Sequence, residues 1–454
     1  MRKLLICAAA LGGFAVSAHA ADLSADSLKD PLPDTLSYKG VTLYGTIDVG
    51  YAYQTAGRPV SSTFFPGLNW IANGNDRRPI STLTNNAASL SEVGVKVEEA
   101  LGMGFVAIGK AGTAFNPISG ELADACKSMV QAANNPTHPA ASGAGPLCGQ
   151  AFNTEVYGGL SNQAYGTLTV GRHASLTNEG VGTYDPNHGS FAFSFIGFEG
   201  SAAAGMGHPE TALWDNSVKY TYKYGPVHAG VLYSDGGDGT SLLGYGVGVN
   251  AGFAWRGLSV DAYYTKQDGS VAADSGVPGT FDRLNYTISN NEGYSVMGKY
   301  TFDLDGGFKD GGPSAKLTAF AGYVHMDRGN PDDTQASYAG HSTVGGYVLS
   351  APSANNTFVT NQIQQTAWIG ATYDTGPWAF TGAWYHQTQD SFVTTGGVQA
   401  GGDLDWVSGV IDYKFNKHFD VYGGVSWVDV TGGWAAGNTQ HETTNFATGL
   451  RLKF

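Results

Sequence analysis

A period-two alternation of apolar and polar residues, repeated along most of the chain, restricts the fold more than any other feature. Val41 to Gln54 reads VTLYGTIDVGYAYQ: Val41, Leu43, Ile47, Val49, Tyr51 and Tyr53 share one parity, and Thr42, Thr46 and Asp48 take the other. Successive side chains of a strand point to opposite faces, so this stretch has one apolar and one wet face. The pattern recurs at 89–100, 104–114, 151–161, 165–173, 214–224, 227–235, 244–255, 257–267, 291–302, 314–326, 362–374, 377–388, 403–415, 418–430 and 443–454. That makes about sixteen candidate strands, each near the roughly 9–11 residues that cross a bilayer at a tilt. The count is even, as closed bacterial barrels require. The expectation is an all-β chain: a 16-stranded antiparallel transmembrane β-barrel over 41–454.

The connections support this. Short ones, such as Gly225-Pro226, Arg256, Thr375-Gly376 and Asn416-Lys417, alternate with long ones near 55–88, 115–150, 174–213, 268–290, 327–361, 389–402 and 431–442. Tight turns at one end and long loops at the other suit a barrel with a periplasmic and an outer rim. Aromatics cluster near strand ends, as in Tyr220, Tyr222 and Tyr224, or Trp378, Phe380 and Trp384. Amphipathic rings settle at headgroup level and form girdles. Charged residues are 14% of the chain, well under the roughly 25% of ordinary soluble domains. No run of 18 apolar residues follows Ala20, so no transmembrane helix is expected.

The third long connection, about 174–213, is unusual in length and chemistry. It carries Glu179, Asp185, Glu199 and Glu210 with no Lys or Arg, and Phe191, Phe193, Phe195 and Phe198 in its middle. An acidic loop with an apolar middle is expected to fold back onto a surface, here the barrel's inner wall. His173, His188 and His208 lie in or beside it without a metal-ligand spacing, so no metal site is expected. Arg77 and Arg78, in the first long connection, read as solvated loop charges.

The N-terminus has the form of a secretory leader: Arg2 and Lys3, an apolar run Leu4–Val16, and small residues up to Ala20. Residues 1–20 are expected to be a signal peptide and 21–40 a short periplasmic lead. Loss of Arg2 and Lys3 takes the net charge from −14 to −14 − 2 = −16. So acidic a chain is a poor partner for nucleic acid. In an oxidising compartment Cys126 and Cys148 are expected to pair. Their bridge would close a loop of about twenty residues and stabilise by about 3 kcal/mol on the chain-entropy model. A catalytic barrel needs a Ser or Asp nucleophile with His beside it. The histidines are scattered, so no enzyme and no cofactor are expected.

VTLYGTIDVGYAY at 41–53, FNTEVYGGLSNQAYGTLTVGRHASL at 152–176, WDNSVKY at 214–220 and FATGLRLKF at 446–454 together resemble the Gram-negative general porins of alpha- and beta-proteobacterial type. The resemblance implies a homotrimeric barrel of the outer membrane, in contact with its lipid and lipopolysaccharide, that passes small hydrophilic solutes and ions passively. It implies an inward-folded third loop whose acids face basic wall residues. It also implies a terminal aromatic, Phe454, read by the outer-membrane assembly machinery. Arg172, Lys219 and Lys96 match basic wall positions of the family. Glu92 and Thr46 stand where relatives often carry cations, which favours weak cation preference.

Parity places Lys96, Lys219, Lys223, Lys299, Lys414, Arg451 and Lys453 on the wet face. Arg172 shares the parity of Leu168 and Val170, so an inward Arg172 requires a bulge or a strand end before it. The expected constriction is thus Arg172, Lys219, Lys96 and Glu92 on the wall, with Glu179, Asp185 and Glu199 on the loop. A substrate-specific porin, for example sugar-selective, is the alternative. It would be marked by a lumen track of aromatics, with Tyr44, Tyr157 and Tyr422 as candidates.

Overall fold

The computed structural model describes residues 35–57, 63, 78–134, 147–199, 212–235, 244–304, 315–331, 343–352, 358–435 and 440–454. The expected leader at 1–20, Arg77, and the part of the third loop with His208 and Glu210 lie outside the described residues.

Sixteen strands form one ring: β1 Val41–Gln54, β2 Glu92–Gly102, β3 Phe105–Ala114, β4 Val156–Asn162, β5 Gly166–Ala174, β6 Leu213–Tyr224, β7 Val227–Ser234, β8 Tyr245–Trp255, β9 Leu258–Gly276, β10 Arg283–Asp303, β11 Ala315–Gly329, β12 Gln362–Thr375, β13 Trp378–Gln389, β14 Gly402–Lys414, β15 Phe419–Val430 and β16 Glu442–Lys453. Each pairs antiparallel with its neighbours. β1 also pairs with β16, from Thr46↔Lys453 to Gln54↔Asn445, so the sheet has no free edge. This is the expected barrel. Among the described residues, three α-helices lie in the connections: α1 Ala125–Asn134 between β3 and β4, and α2 Leu176–Tyr184 and α3 Phe195–Glu199 in the third loop.

Several boundaries differ from the expectation, for local reasons. The lead at 21–40 ends in a strand, Leu36–Tyr38, which folds back on β1 through a Lys39-Gly40 turn with both residues at positive φ. Two such residues in succession match the right-handed twist of paired strands. The stretch 151–155 precedes β4 rather than belonging to it. β9 and β10 run far into 268–290, which was expected to be loop.

The outward face is apolar from rim to rim. Val218, Val231, Val296, Ile369, Val407 and Leu450 are exposed on it at mid-strand, and Tyr224, Trp255, Tyr300 and Trp378 lie towards the short turns. Inward residues one step along, such as Lys219 and Ser295, are polar and buried. Val218→Arg would put a guanidinium on the lipid face at mid-depth and is expected to cost about 2–4 kcal/mol. Urea unfolding in liposomes, followed by tryptophan fluorescence, measures it. An unchanged midpoint would reverse the assignment of the two faces at β6.

Candidate pore constriction

The third loop leaves β5 and enters the lumen. Ser175 caps α2, its Oγ accepting from Asn178 N at 3.1 Å, which satisfies one of the free amides of the first turn. α2 buries Leu176, Val181 and Tyr184 against the wall and leaves Glu179 and Thr183 exposed. The Tyr184 hydroxyl donates to Asp261 and lies 2.7 Å from Ser259 Oγ. Trp368 Nε1 donates to the Tyr184 carbonyl at 3.1 Å. Beyond α2 the apolar middle seats itself on β14 and β15. Phe193 meets Tyr422 edge-on with ring centroids 6.2 Å apart, and Phe195 and Phe198 both lie against Trp406. Each fully buried ring of this kind contributes about 1.5–3 kcal/mol. The wall makes room for them: a Cβ on Gly424 would sit 2.7 Å from the Phe193 ring. Ser426 Oγ donates to the Ala192 carbonyl at 2.5 Å, and Ala192 N donates to Ala87 O at 2.8 Å.

Asp185 differs from the expected lumen acid, because its side chain is fully buried. Its carboxylate accepts from the Tyr385 hydroxyl, from Gly189 N at 2.7 Å and from Asn187 N at 3.3 Å. A buried carboxylate is tolerated only when so bonded. Its geometry is that of an anchor between loop and wall. Glu199 ends α3, the last described turn of the loop.

Beside Glu179 of α2, the wall carries charges of both signs. Glu92 on β2 accepts from the Tyr44 hydroxyl at 2.9 Å and from Thr154 Oγ1 at 2.7 Å. Lys96 and Lys110 stand directly opposite each other across β2 and β3. Like charges so placed repel, and the face of Tyr44 lies between them. Its ring centroid is 5.0 Å from Lys96 Nζ and 5.6 Å from Lys110 Nζ. Lys110 also pairs with Glu155 at 2.5 Å. Lys219 on β6 pairs with Glu179 of the loop. Beside α2 lies a water-accessible space of about 650 Å³, lined in part by Glu179, Thr183, Lys223, His228 and Asp261.

Arg172 reaches inward through a bulge. The β5–β6 register jumps between Gly171↔Ser217 and His173↔Trp214, so Asp215 and Asn216 together oppose Arg172. The guanidinium is buried, pairs with Asp215, and donates to the carbonyls of Thr154 at 2.9 Å and Asn153 at 3.0 Å. It holds a strand junction rather than presenting a free cation. His173 is likewise taken up, between Ser217 Oγ and Thr169 Oγ1 at 2.8 Å each. Of the candidate aromatics, Tyr422 is buried under Phe193, whereas Tyr44 and Tyr157 are half-buried on the wall. Lys110, Glu155 and Asp215 escaped the sequence reading. β3 has Ala107, Gly109 and Ala111 on one parity, too small to mark a face, and Glu155 stands just outside its strand. Cys126 and Cys148 are bonded in a disulfide.

Burial raises the Asp185 carboxyl above the ordinary aspartate value of 3.8, against the lowering effect of the Tyr385 hydroxyl and the Gly189 amide. A raised value in the docked state means that docking binds protons. The contribution to docking is therefore full below 3.8 and is lost as pH rises through the raised value. Protection of the loop from protease, measured against pH, should weaken in that window. Asp185→Asn should flatten the profile, and an unaltered profile would remove Asp185 as its cause.

A family model described as Gram-negative porin matches residues 7–433. None of the curated protein sequences compared with the chain matches it. Among solved structures, the barrel is similar to an anion-selective porin from Comamonas acidovorans, with TM-score 0.56 and 16% identity over 91% of this chain and 99% of that one. It is also similar to the outer-membrane protein OmpT of Vibrio cholerae, solved in a trimer form, with TM-score 0.52 and 15% identity over 91% and 99%. At such identities these likenesses speak for the fold, and the family model speaks for the family. With a closed sixteen-strand ring, a lumen narrowed by its third loop and a family match across nearly the whole length, the chain belongs to the Gram-negative porins, multi-pass barrels of the outer membrane that let small hydrophilic solutes diffuse passively.

Proposed function

We propose that solutes cross a constriction framed by Glu179 on the loop and by Lys219, Lys110, Lys96, Glu155 and Glu92 on the wall. Alternation of sign makes it weakly selective, with a slight preference for cations. The carrying observation is the Lys219–Glu179 pair, which joins loop to wall beside the other charges. Glu199 is kept as an eyelet acid on its place in the loop, while Arg172 and Asp185 act from behind, holding the elements that present the others. The channel carries out no catalysis. The sugar-selective alternative loses Tyr422 to loop packing and retains Tyr44 and Tyr157.

The same reading has residues 1–20 removed on export, three copies associating in the outer membrane among lipopolysaccharide, and Phe454 read by the assembly machinery. The family match and the trimer form of the Vibrio cholerae barrel support it.

In a water-like dielectric a lysine about 10 Å from a passing cation repels it by about 0.4 kcal/mol, roughly twofold in permeability. Lys96→Ala and Lys110→Ala should each move the reversal potential in a salt gradient towards cations by that order, and no movement would take both out of the constriction. Deleting Phe454 should lower the yield of inserted barrel while leaving single-channel conductance unchanged. Normal insertion would refute its role as the assembly signal.

A further inference from the structure

The outer mouth holds a second folded unit that the constriction leaves unused. β9 and β10 extend past their neighbours: pairing to β8 stops at Asp268 and pairing to β11 at Asn290, whereas the hairpin pairs with itself out to Gly276↔Leu284. The about seven additional residues reach roughly 24 Å beyond the ring. Val271, Leu284, Tyr286 and Ile288 of this extension are buried in one cluster with Met129 and Val130 of α1.

α1 comes from a distant part of the rim. It belongs to the connection between β3 and β4, and its base is pinned there, with Ala123 N donating to Ala114 O at 3.0 Å. The disulfide Cys126–Cys148 ties the start of α1 to the returning arm of that connection, and both cysteines are fully buried in the cluster. β3 and β9 stand six strands apart on a ring of sixteen, so their contact spans the mouth as a chord. Asn134, at the far end of α1, clasps the hairpin turn. Its amide donates to Thr280 O at 2.5 Å, and its oxygen accepts from Gly279 N at 2.7 Å. A third connection joins them: Tyr347–Pro352 adds in parallel to β10, and the Tyr347 hydroxyl donates to Asp124 at 2.8 Å. The backbones meet closely at Gly276, where a Cβ would lie 2.6 Å from Val130 Cα.

We propose that this strap is a second filter, one that sorts uncharged hydrophilic solutes by size at the outer mouth, and that Cys126–Cys148 is its fastening. Among the described residues its contacts with the hairpin are apolar or neutral hydrogen bonds, so it discriminates by width where the constriction discriminates by charge. The inference rests on the channel reading but not on the assignment of the constriction residues.

The test compares wild-type, Gly276→Val, and Cys126→Ser with Cys148→Ser, as inserted channels, using neutral polyethylene glycols of graded size. Wild-type channels are also treated in the bilayer with a water-soluble phosphine. This cleaves the S–S bond, gives two thiols, and converts the phosphine to its oxide with oxygen from water; two newly titrated thiols confirm it. The expected result is higher conductance and a cut-off shifted to larger polymers in both variants and in reduced wild type. The reversal potential should not move, because the charged wall is untouched. Unchanged conductance and cut-off in Gly276→Val and in the reduced or cysteine-free channel overturn the strap. Failure of the constriction reading would appear elsewhere, as a reversal potential insensitive to Lys96 and Lys110.

Discussion

Inside a bilayer there is no water to bond a free N–H or C=O, so a sheet that crosses it can have no edge. The pairing of β1 with β16 meets that requirement, and its last link is made by the final residue: Phe454 N donates to Gly45 O at 3.0 Å, and Gly45 N to Phe454 O at 2.9 Å. The even strand count follows from this closure, as does the meeting of the start of β1 and the end of β16 at one rim. So does the next problem. A ring of sixteen strands encloses a water-filled channel far wider than its side chains can fill, and something must narrow it without sealing it.

The third loop does so by breaking the rule that a barrel interior is polar. Trp368, Tyr385, Trp406 and Tyr422 point inward, and each is almost wholly buried because the loop lies on it. One side of the wall is thus apolar and filled, and the other stays charged and wet. Gly370 and Gly424 receive Pro186 and Phe193. The loop is held by apolar rings over much of its length and by one buried carboxylate, Asp185, whose partner Tyr385 lies 200 residues away.

What could be read from the sequence divides along the same line. Period two is a local property, so ring, strand count and wet-face lysines were legible, and parity asked for a bulge or a strand end at Arg172, of which the structure has the bulge. An acid's partner is not local. Nothing near Asp185 distinguishes it from Glu179, yet one is sealed behind the loop and the other faces Lys219. Strand faces made of Gly and Ala carry no parity signal, which hid Lys110. The long hairpin of β9 and β10 was read as loop, because its apolar residues serve a helix from another connection rather than the membrane.

The ion pairs therefore do two different jobs. Arg172 with Asp215 is buried with its remaining donors bonded to carbonyls, the arrangement in which removing one partner leaves a costly unpaired charge. Lys110–Glu155 and Lys219–Glu179 are part-buried pairs, and Glu179 is open to the lumen. Lys96 opposite Lys110 is unfavourable on its own account and is eased by the face of Tyr44 and by the pairing of Lys110 with Glu155. On the proposed reading, Lys96 and Lys110 stand together for the field they set across the lumen rather than for stability. On that reading the Arg172–Asp215 pair holds the shape of the opening, and the charges beside the lumen set what it favours.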